Sequence, residues 1–161
     1  MAKKSNFKEF KQGIFKPNNK DKCLNKDPVI FRSSLERSIM IVLDKNDNII
    51  SWSSEQVILP YFKKTENRMA RYFVDFYWKV KINDVIVEYI VEVKPFKQTQ
   101  KPTESKNKKQ STVIYETIEY QNNCDKWDAA KNWCKIQKDK HNRTIYFQII
   151  TERNIDTILG K

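Results

Sequence analysis

Apolar and polar side chains alternate most regularly in two stretches, Arg71–Val80 (RYFVDFYWKV) and Ile86–Lys94 (IVEYIVEVK). Alternation with a period of two is the signature of a strand with one face in a core. Upstream, Leu35, Ile39, Val42 and Leu43 fall at i, i+4, i+7 and i+8 and predict an amphipathic helix. Ser33 followed by Glu36 fits a capping box at its start, and Asn46-Asp47-Asn48 ends it. A further strand is expected around Gln56–Phe62. Residues 113–121 (VIYETIEYQ) suit either helix or strand, with helix preferred. Asp125–Gln137 predicts a helix with Trp127, Ala130 and Cys134 on one face. Thr144–Thr151 is a nearly continuous apolar run, as in a buried strand. Asn154–Leu159 predicts a short closing helix. Helix, three strands, helices, strand and helix make an α/β fold: a mixed central sheet flanked by helices in a single domain.

The two strong strands are joined by Lys81–Val85, and Asn83-Asp84 has the composition of a tight turn. With those two residues as the loop, Ile82 faces Val85 and Asp75 faces Glu92. Directly opposed residues share a face, and the period of two brings Glu88 and Lys94 onto that face as well. Opposed carboxylates repel, and a divalent cation would remove the cost. Mg²⁺ takes oxygen ligands and keeps several waters, so one or two carboxylates suffice. Such a metal activates water and stabilises the leaving oxygen of a phosphodiester. Lys94 is placed to orient that water and offset phosphate charge. A charged sheet face with ordinary ion pairs accounts for E-x-K by itself; an Asp opposite it after an acidic helix is the more specific pattern. Glu36 is a fourth candidate, with a catalytic role preferred over the capping box with Ser33 that would also account for it, and Glu55 is a fifth and weaker one.

The chain has 161 residues, enough for one core, and a formal charge of +11. Residues 1–30 carry eight lysines against Glu9, Asp21 and Asp27, and residues 95–112 carry five against Glu104. Nine of the eleven excess charges therefore lie on two segments that read as arms, and a polyanionic partner is expected. Residues 1–27 read as a basic N-terminal arm, with Phe7, Phe10 and Phe15 as anchors, 28–161 as the domain, and 95–112 as a basic loop within it. With only Gly13 and Gly160, no glycine-rich phosphate loop can form. Cys23, Cys124 and Cys134 make neither a disulfide framework nor a zinc motif. The single histidine, His141, sits in a polar run and reads as a solvated loop residue. No apolar run is long enough to span a bilayer, and MAKKSNFKEFKQ lacks a signal-peptide core, so an intracellular protein is expected.

Glu36, Asp75 and the E-x-K of Glu92–Lys94 resemble the PD-(D/E)xK nuclease pattern, with Val74 in place of the proline. FRSSLE at 31–36, ISWSSEQVILPYF at 50–62, RYFVDFYW at 71–78, VEVKPFKQTQKP at 91–102, and DKWDAAKNW followed by IITE look like the head-completion nucleases of T-even-type tailed phages. That family is itself similar to the transposon endonuclease TnsA. The resemblance spans Phe31 to Glu152. It implies a restriction-endonuclease-like fold and an Mg²⁺-dependent DNA endonuclease, with Mn²⁺ as the alternative metal and no small-molecule cofactor. Glu36, Asp75, Glu92 and Lys94 would be catalytic, with Asp75 and Glu92 holding the metal. Arg32, Arg71, Lys97, Lys101, Lys106, Lys108 and Lys109 are the expected DNA contacts. The implied setting is virion assembly, on packaged double-stranded DNA or its end before tail joining. Portal or neck proteins would be partners and no membrane would be involved; the location would be host cytoplasm or the virion. Two alternatives stand beside it: a non-catalytic virion protein on a nuclease fold, and a transposase-like or restriction nuclease.

Overall fold

The computed structural model describes residues 12–105 and 107–158. Phe7, Phe10 and Lys106 lie outside the described residues. In chain order the elements are β1 (Gly13–Phe15), β2 (Val29–Phe31), α1 (Ser34–Lys45), β3 (Ile49–Ser54), β4 (Ile58–Lys63), β5 (Arg68–Phe73), β6 (Phe76–Ile82), β7 (Val85–Val93), α2 (Gln110–His141), β8 (Ile145–Ile150) and α3 (Ile155–Ile158). The central sheet runs β3-β6-β7-β8, antiparallel except for β8, which lies parallel to β7. β1–β2 and β4–β5 are separate two-stranded ribbons.

The period of two on β6 and β7 sorts their side chains onto two faces. Phe76, Trp78 and Val80 with Val87, Val91 and Val93 pack under Ile39, Met40 and Leu43 of α1. Ile90, on the opposite face, packs with Ala130 and Cys134 of α2 and with Leu59 and Tyr72 of the β4–β5 ribbon. Helix, sheet and helix make three layers, the mixed α/β arrangement expected of a restriction-endonuclease-like domain. Asn83 and Asp84 both take positive φ, 47° and 64°, as a two-residue hairpin turn requires. The register places Ile82 opposite Val85 and Lys79 opposite Glu88, as the turn chemistry predicts.

Four expectations need correction. RYFVDFYWKV is not one strand: β5 pairs with β4, β6 pairs with β3 and β7, and the chain changes sheets at Val74–Asp75. At that break the Val74 amide donates to Val57 and the Glu55 amide donates to Asp75, which satisfies the backbone where neither ladder reaches it. β3 escaped the pattern because its burial does not alternate; Trp52, Ser53 and Ser54 are all buried. Residues 113–121 and 125–137 belong to one helix of 32 residues, α2, and the basic loop ends at Lys109. Residues 12–27 do not hang free as an arm. Leu24 and Lys22 exchange backbone bonds with Trp52 at 2.8 Å, covering the outer edge of β3. The Asp44 carboxylate accepts the amides of Asn18 and Asn19, and Phe15 meets Trp52 edge to face at 5.9 Å. Among the described residues no helix is long and apolar enough to cross a membrane.

Glu88 is locked for a structural purpose. Arg143 donates to both its oxygens at 2.8 Å, and the Tyr77 hydroxyl donates to Oε1 at 2.5 Å. Arg143 also stacks over Trp133, so β7 is tied to the end of α2. Removing one partner leaves a buried carboxylate uncompensated. Arg143→Ala should therefore destabilise the fold by about 3 kcal/mol in urea unfolding. Glu88→Gln with Arg143→Ala together should cost less than the single change at Arg143. Additive losses would mean that the two groups do not compensate one another.

Candidate active site

Asp75 sits at the residue where the chain leaves the β4–β5 ribbon for the central sheet. The β6–β7 ladder ends at Phe76 opposite Val91, which leaves the Val93 amide without a strand partner. The Asp75 carboxylate supplies the missing acceptor, with Oδ2 taking the Val93 N–H at 2.7 Å. That bond holds the carboxylate against the start of the E-x-K segment and leaves Oδ1 free of it.

Glu92 points to the α2 face and is 2% exposed. Its two oxygens are held apart by different donors. The Tyr72 hydroxyl donates to Oε2 at 2.6 Å, and Lys94 Nζ lies 3.1 Å from Oε1. Burial, and then the charge of Glu92, push the Tyr72 phenol far above its ordinary range, so it remains a donor. Burial followed by the neighbouring Glu92 charge raises Asp75 to about 7, against the lowering effect of the Val93 amide and Lys94. Burial alone would lower Lys94, but Glu92 and Asp75 outweigh it and keep the ammonium charged. Asp75 lies outside the β6–β7 ladder rather than paired opposite Glu92 as the turn register predicts, because the chain changes sheets there, yet Asp75, Glu92 and Lys94 interact as one electrostatic unit.

Glu36 approaches this unit from the start of α1 and adds to the upward push on Asp75. Its side chain is nevertheless engaged in the cap. Oε1 accepts from the Ser33 hydroxyl at 3.0 Å, Oε2 accepts from the Arg32 amide at 2.8 Å, and its own amide donates to Ser33 Oγ at 3.1 Å. Arg32 pairs with Glu55 at 2.6 Å and senses the charges of Glu36 and Asp75, so it borders the acidic cluster. Glu55 has φ 57°, a left-handed conformation unusual for a Glu, where the chain turns from β3 toward β4.

Beyond Lys94 a groove of about 470 Å³ lies between the 96–103 segment and the first half of α2. Lys97, Lys101 and Lys108 line it, together with Arg153, which stacks over the Phe96 ring at 3.6 Å. Lys108 is ion-paired to Glu116. Lys109 stands at the N-cap of α2. Arg71 lies on β5 over Phe73 and is not part of the groove wall. Tyr72, Arg153 and Asn123 escaped the sequence reading. Tyr72 alternates with Val74 in a run that looks like one strand, and nothing local shows that the run bends Tyr72 back over Glu92.

Among the described residues no group of three or more His, Cys, Asp and Glu side chains is gathered as a metal cage. The fit to a hard cation rests on the Asp75–Glu92 pair, a half-buried and a buried carboxylate with Lys94 as the neighbouring cation. A pair of oxygens with room for water suits Mg²⁺, which keeps several waters.

The sheet order and the helices packed on its two faces define a mixed α/β domain of the restriction-endonuclease-like class. Residues 46–152 match the family model described as TnsA-like endonuclease N terminal. The chain is 34% identical over 127 residues to the "Head completion nuclease" of Enterobacteria phage T4, covering 77% of this chain and 79% of that protein. No solved structure matches the chain. The chain belongs to the head-completion nuclease family, within the TnsA-like endonucleases.

The raised Asp75 carboxyl makes a pH prediction. Its folded pKa exceeds the unfolded value of about 4, so the folded chain keeps a proton that the unfolded chain has lost. Stability falls as pH rises from about 4 toward about 7. Asp75→Asn keeps an acceptor for the Val93 amide and removes the charge. In EDTA it should raise the melting temperature at pH 8 and leave it nearly unchanged at pH 4. Adding Mg²⁺ at pH 8 should stabilise the wild type more than the variant. A variant less stable than wild type at pH 8 in EDTA would show that Lys94 already offsets the pair.

Proposed function

We propose that the chain is a divalent-metal-dependent DNA endonuclease, working with Mg²⁺ or Mn²⁺, that completes phage heads by cutting packaged double-stranded DNA or its end before tail joining. The observation that supports this reading is the electrostatic coupling of Asp75 with Glu92 and Lys94, with Lys94 also lining a cationic groove. The relative's name, head completion nuclease, supplies the setting. In that setting portal or neck proteins are the protein partners, and the chain works in host cytoplasm during assembly or within the virion.

Asp75 and Glu92 would hold the metal, which when bound supplies Lewis acidity to the scissile phosphate and acidifies water. Val93 and Tyr72 fix the orientation of the two carboxylates before substrate arrives, so little reorganisation is needed during reaction. Lys94 lies beside Glu92 with its ammonium charged and offsets the negative charge that grows on the phosphate. Lys97, Lys101, Lys108 and Arg153 attract the backbone on either side. Glu36 is able to serve only after releasing Ser33 or the Arg32 amide, and DNA phosphate drawing Arg32 away from Glu55 is a route to that release.

Linear duplex DNA with Mg²⁺ should be cleaved by the purified chain and not by Asp75→Ala. Lys94→Ala should lower the single-turnover rate by about 10²–10³, the usual loss for a preorganised charge. Binding measured in Ca²⁺ should change little, because Lys94 is one of 31 Lys and Arg residues. Equal rates would remove Lys94 from the chemistry. Tight binding without cleavage of any DNA would favour a structural virion protein.

Neutralising Lys97, Lys101, Lys108 and Lys109 should instead weaken binding. The log–log salt slope should flatten by about 0.9 for each phosphate that is no longer neutralised. An unchanged slope would assign the loop to a protein partner.

A further inference from the structure

The groove beside Lys94 is lined by one amide side chain that its neighbours leave open to bond whatever enters. Asn123, on α2, is 7% exposed and lines the groove. Its side-chain amide has no hydrogen-bond partner among the described residues. The adjacent buried polar groups are satisfied: Asn122 accepts from Thr65, while Asp125 accepts from the Lys64 amide and from Gln121. The buried side-chain polar atoms left without a partner among the described residues are Nε1 of Trp52 and of Trp127, so the Asn123 amide is not sealed in the core but reachable from the groove, with its donor and acceptor both open. Here it faces the space beside Lys94.

The wall above it is aromatic. Tyr115 presents its ring 65% exposed on the groove side of α2, and Tyr120 lines the same wall one turn and a residue further on. The charge balance is cationic: five Lys and Arg side chains against Glu116 and Glu119, with Glu116 already paired to Lys108. A flat π surface, a donor-and-acceptor amide and an excess of cations together match the chemistry of one nucleotide. An aromatic face stacks a base, Asn can donate to and accept from a base edge, and lysines take the phosphate. A base still in a duplex is stacked on both faces. Its edges lie in the helical grooves, out of reach of an amide 7% exposed at the floor of a cleft. A cavity of about 470 Å³ is of small-ligand size rather than duplex size.

We infer that this groove is a subsite for an unpaired nucleotide next to the scissile phosphate, so that the preferred substrate is duplex DNA carrying a single-stranded tail or frayed end. The inference rests on the nuclease reading above and deepens it by naming the form of the DNA. Asn123 reads the base edge, Tyr115 stacks the base, and Lys97 and Lys101 hold the strand that leads it in.

The test uses the full chain with two DNAs of equal duplex length, one blunt and one bearing a short single-stranded tail. Binding is measured in Ca²⁺, with 2-aminopurine as the first unpaired base, and single-turnover cleavage in Mg²⁺. The tailed DNA should bind about tenfold tighter than the blunt one, the scale of one stacked base, with quenched 2-aminopurine fluorescence. An abasic site at that position, used with the wild-type chain, should remove the advantage. Asn123→Ala and Tyr115→Ala should each bring the tailed-to-blunt ratio toward one; Tyr115 is exposed, so its replacement leaves the core intact. Equal affinity for both DNAs, with both cleaved, overturns the subsite and leaves the nuclease standing. A tail preference that survives the abasic site and both substitutions places recognition elsewhere and also overturns it. Failure to bind or cut either DNA overturns both readings.

Discussion

The bond from the Val93 amide to the Asp75 carboxylate connects the fold to the site. A strand that leaves one sheet and enters another must give up ladder partners at the crossing. Here Val93 loses an acceptor where β6 ends, and the Asp75 side chain replaces it. The same bond fixes the acid beside Glu92 and Lys94. Fold continuity and site geometry therefore depend on one side chain, whose carboxyl is also the one that burial and Glu92 push upward in pKa.

The α2 face of β7 carries two buried glutamates with different fates. Glu88 is saturated by Arg143 and Tyr77 and serves as an internal tie. Glu92 receives one hydroxyl and one ammonium and lies next to a second carboxylate, so its neighbourhood keeps unneutralised negative charge. Residues of the same type, four positions apart on one strand, become a structural pair and a candidate ligand through what packs above them. Tyr72 marks the difference, because only the bend at Val74–Asp75 brings the β4–β5 ribbon over that end of the sheet.

The basic segments also divide by packing. Residues 12–27 are held by Asp44, by the edge of β3 and by Trp52, so their lysines decorate a fixed surface. The 96–103 segment instead forms a wall of the groove beside Lys94, pinned by Arg153 over Phe96 and by Glu152 on the Phe96 amide. Charge counted along the chain treats the two alike, although only the second is next to the acidic pair.

Much of this was legible in the residues. The capping box at Ser33–Glu36, the Asn83-Asp84 turn, the register it sets and the shared face of Glu88 and Glu92 all follow from local chemistry. Such features depend on residues only a few positions apart, or on a period that the backbone enforces. The break at Asp75, strand β3, the unbroken α2 and the folding-in of residues 12–27 were not legible. Each depends on a partner distant in sequence. Trp52 is buried because Phe15 and Cys23 return to it, and Val74 leaves the ladder because Val57 offers another acceptor. The pattern of types names Asp75, Glu92 and Lys94 as a set. Which of their oxygens are occupied, by Val93, Tyr72 and Lys94, is decided by tertiary packing, since a hydrogen bond needs a donor within about 3 Å whatever its place in the chain.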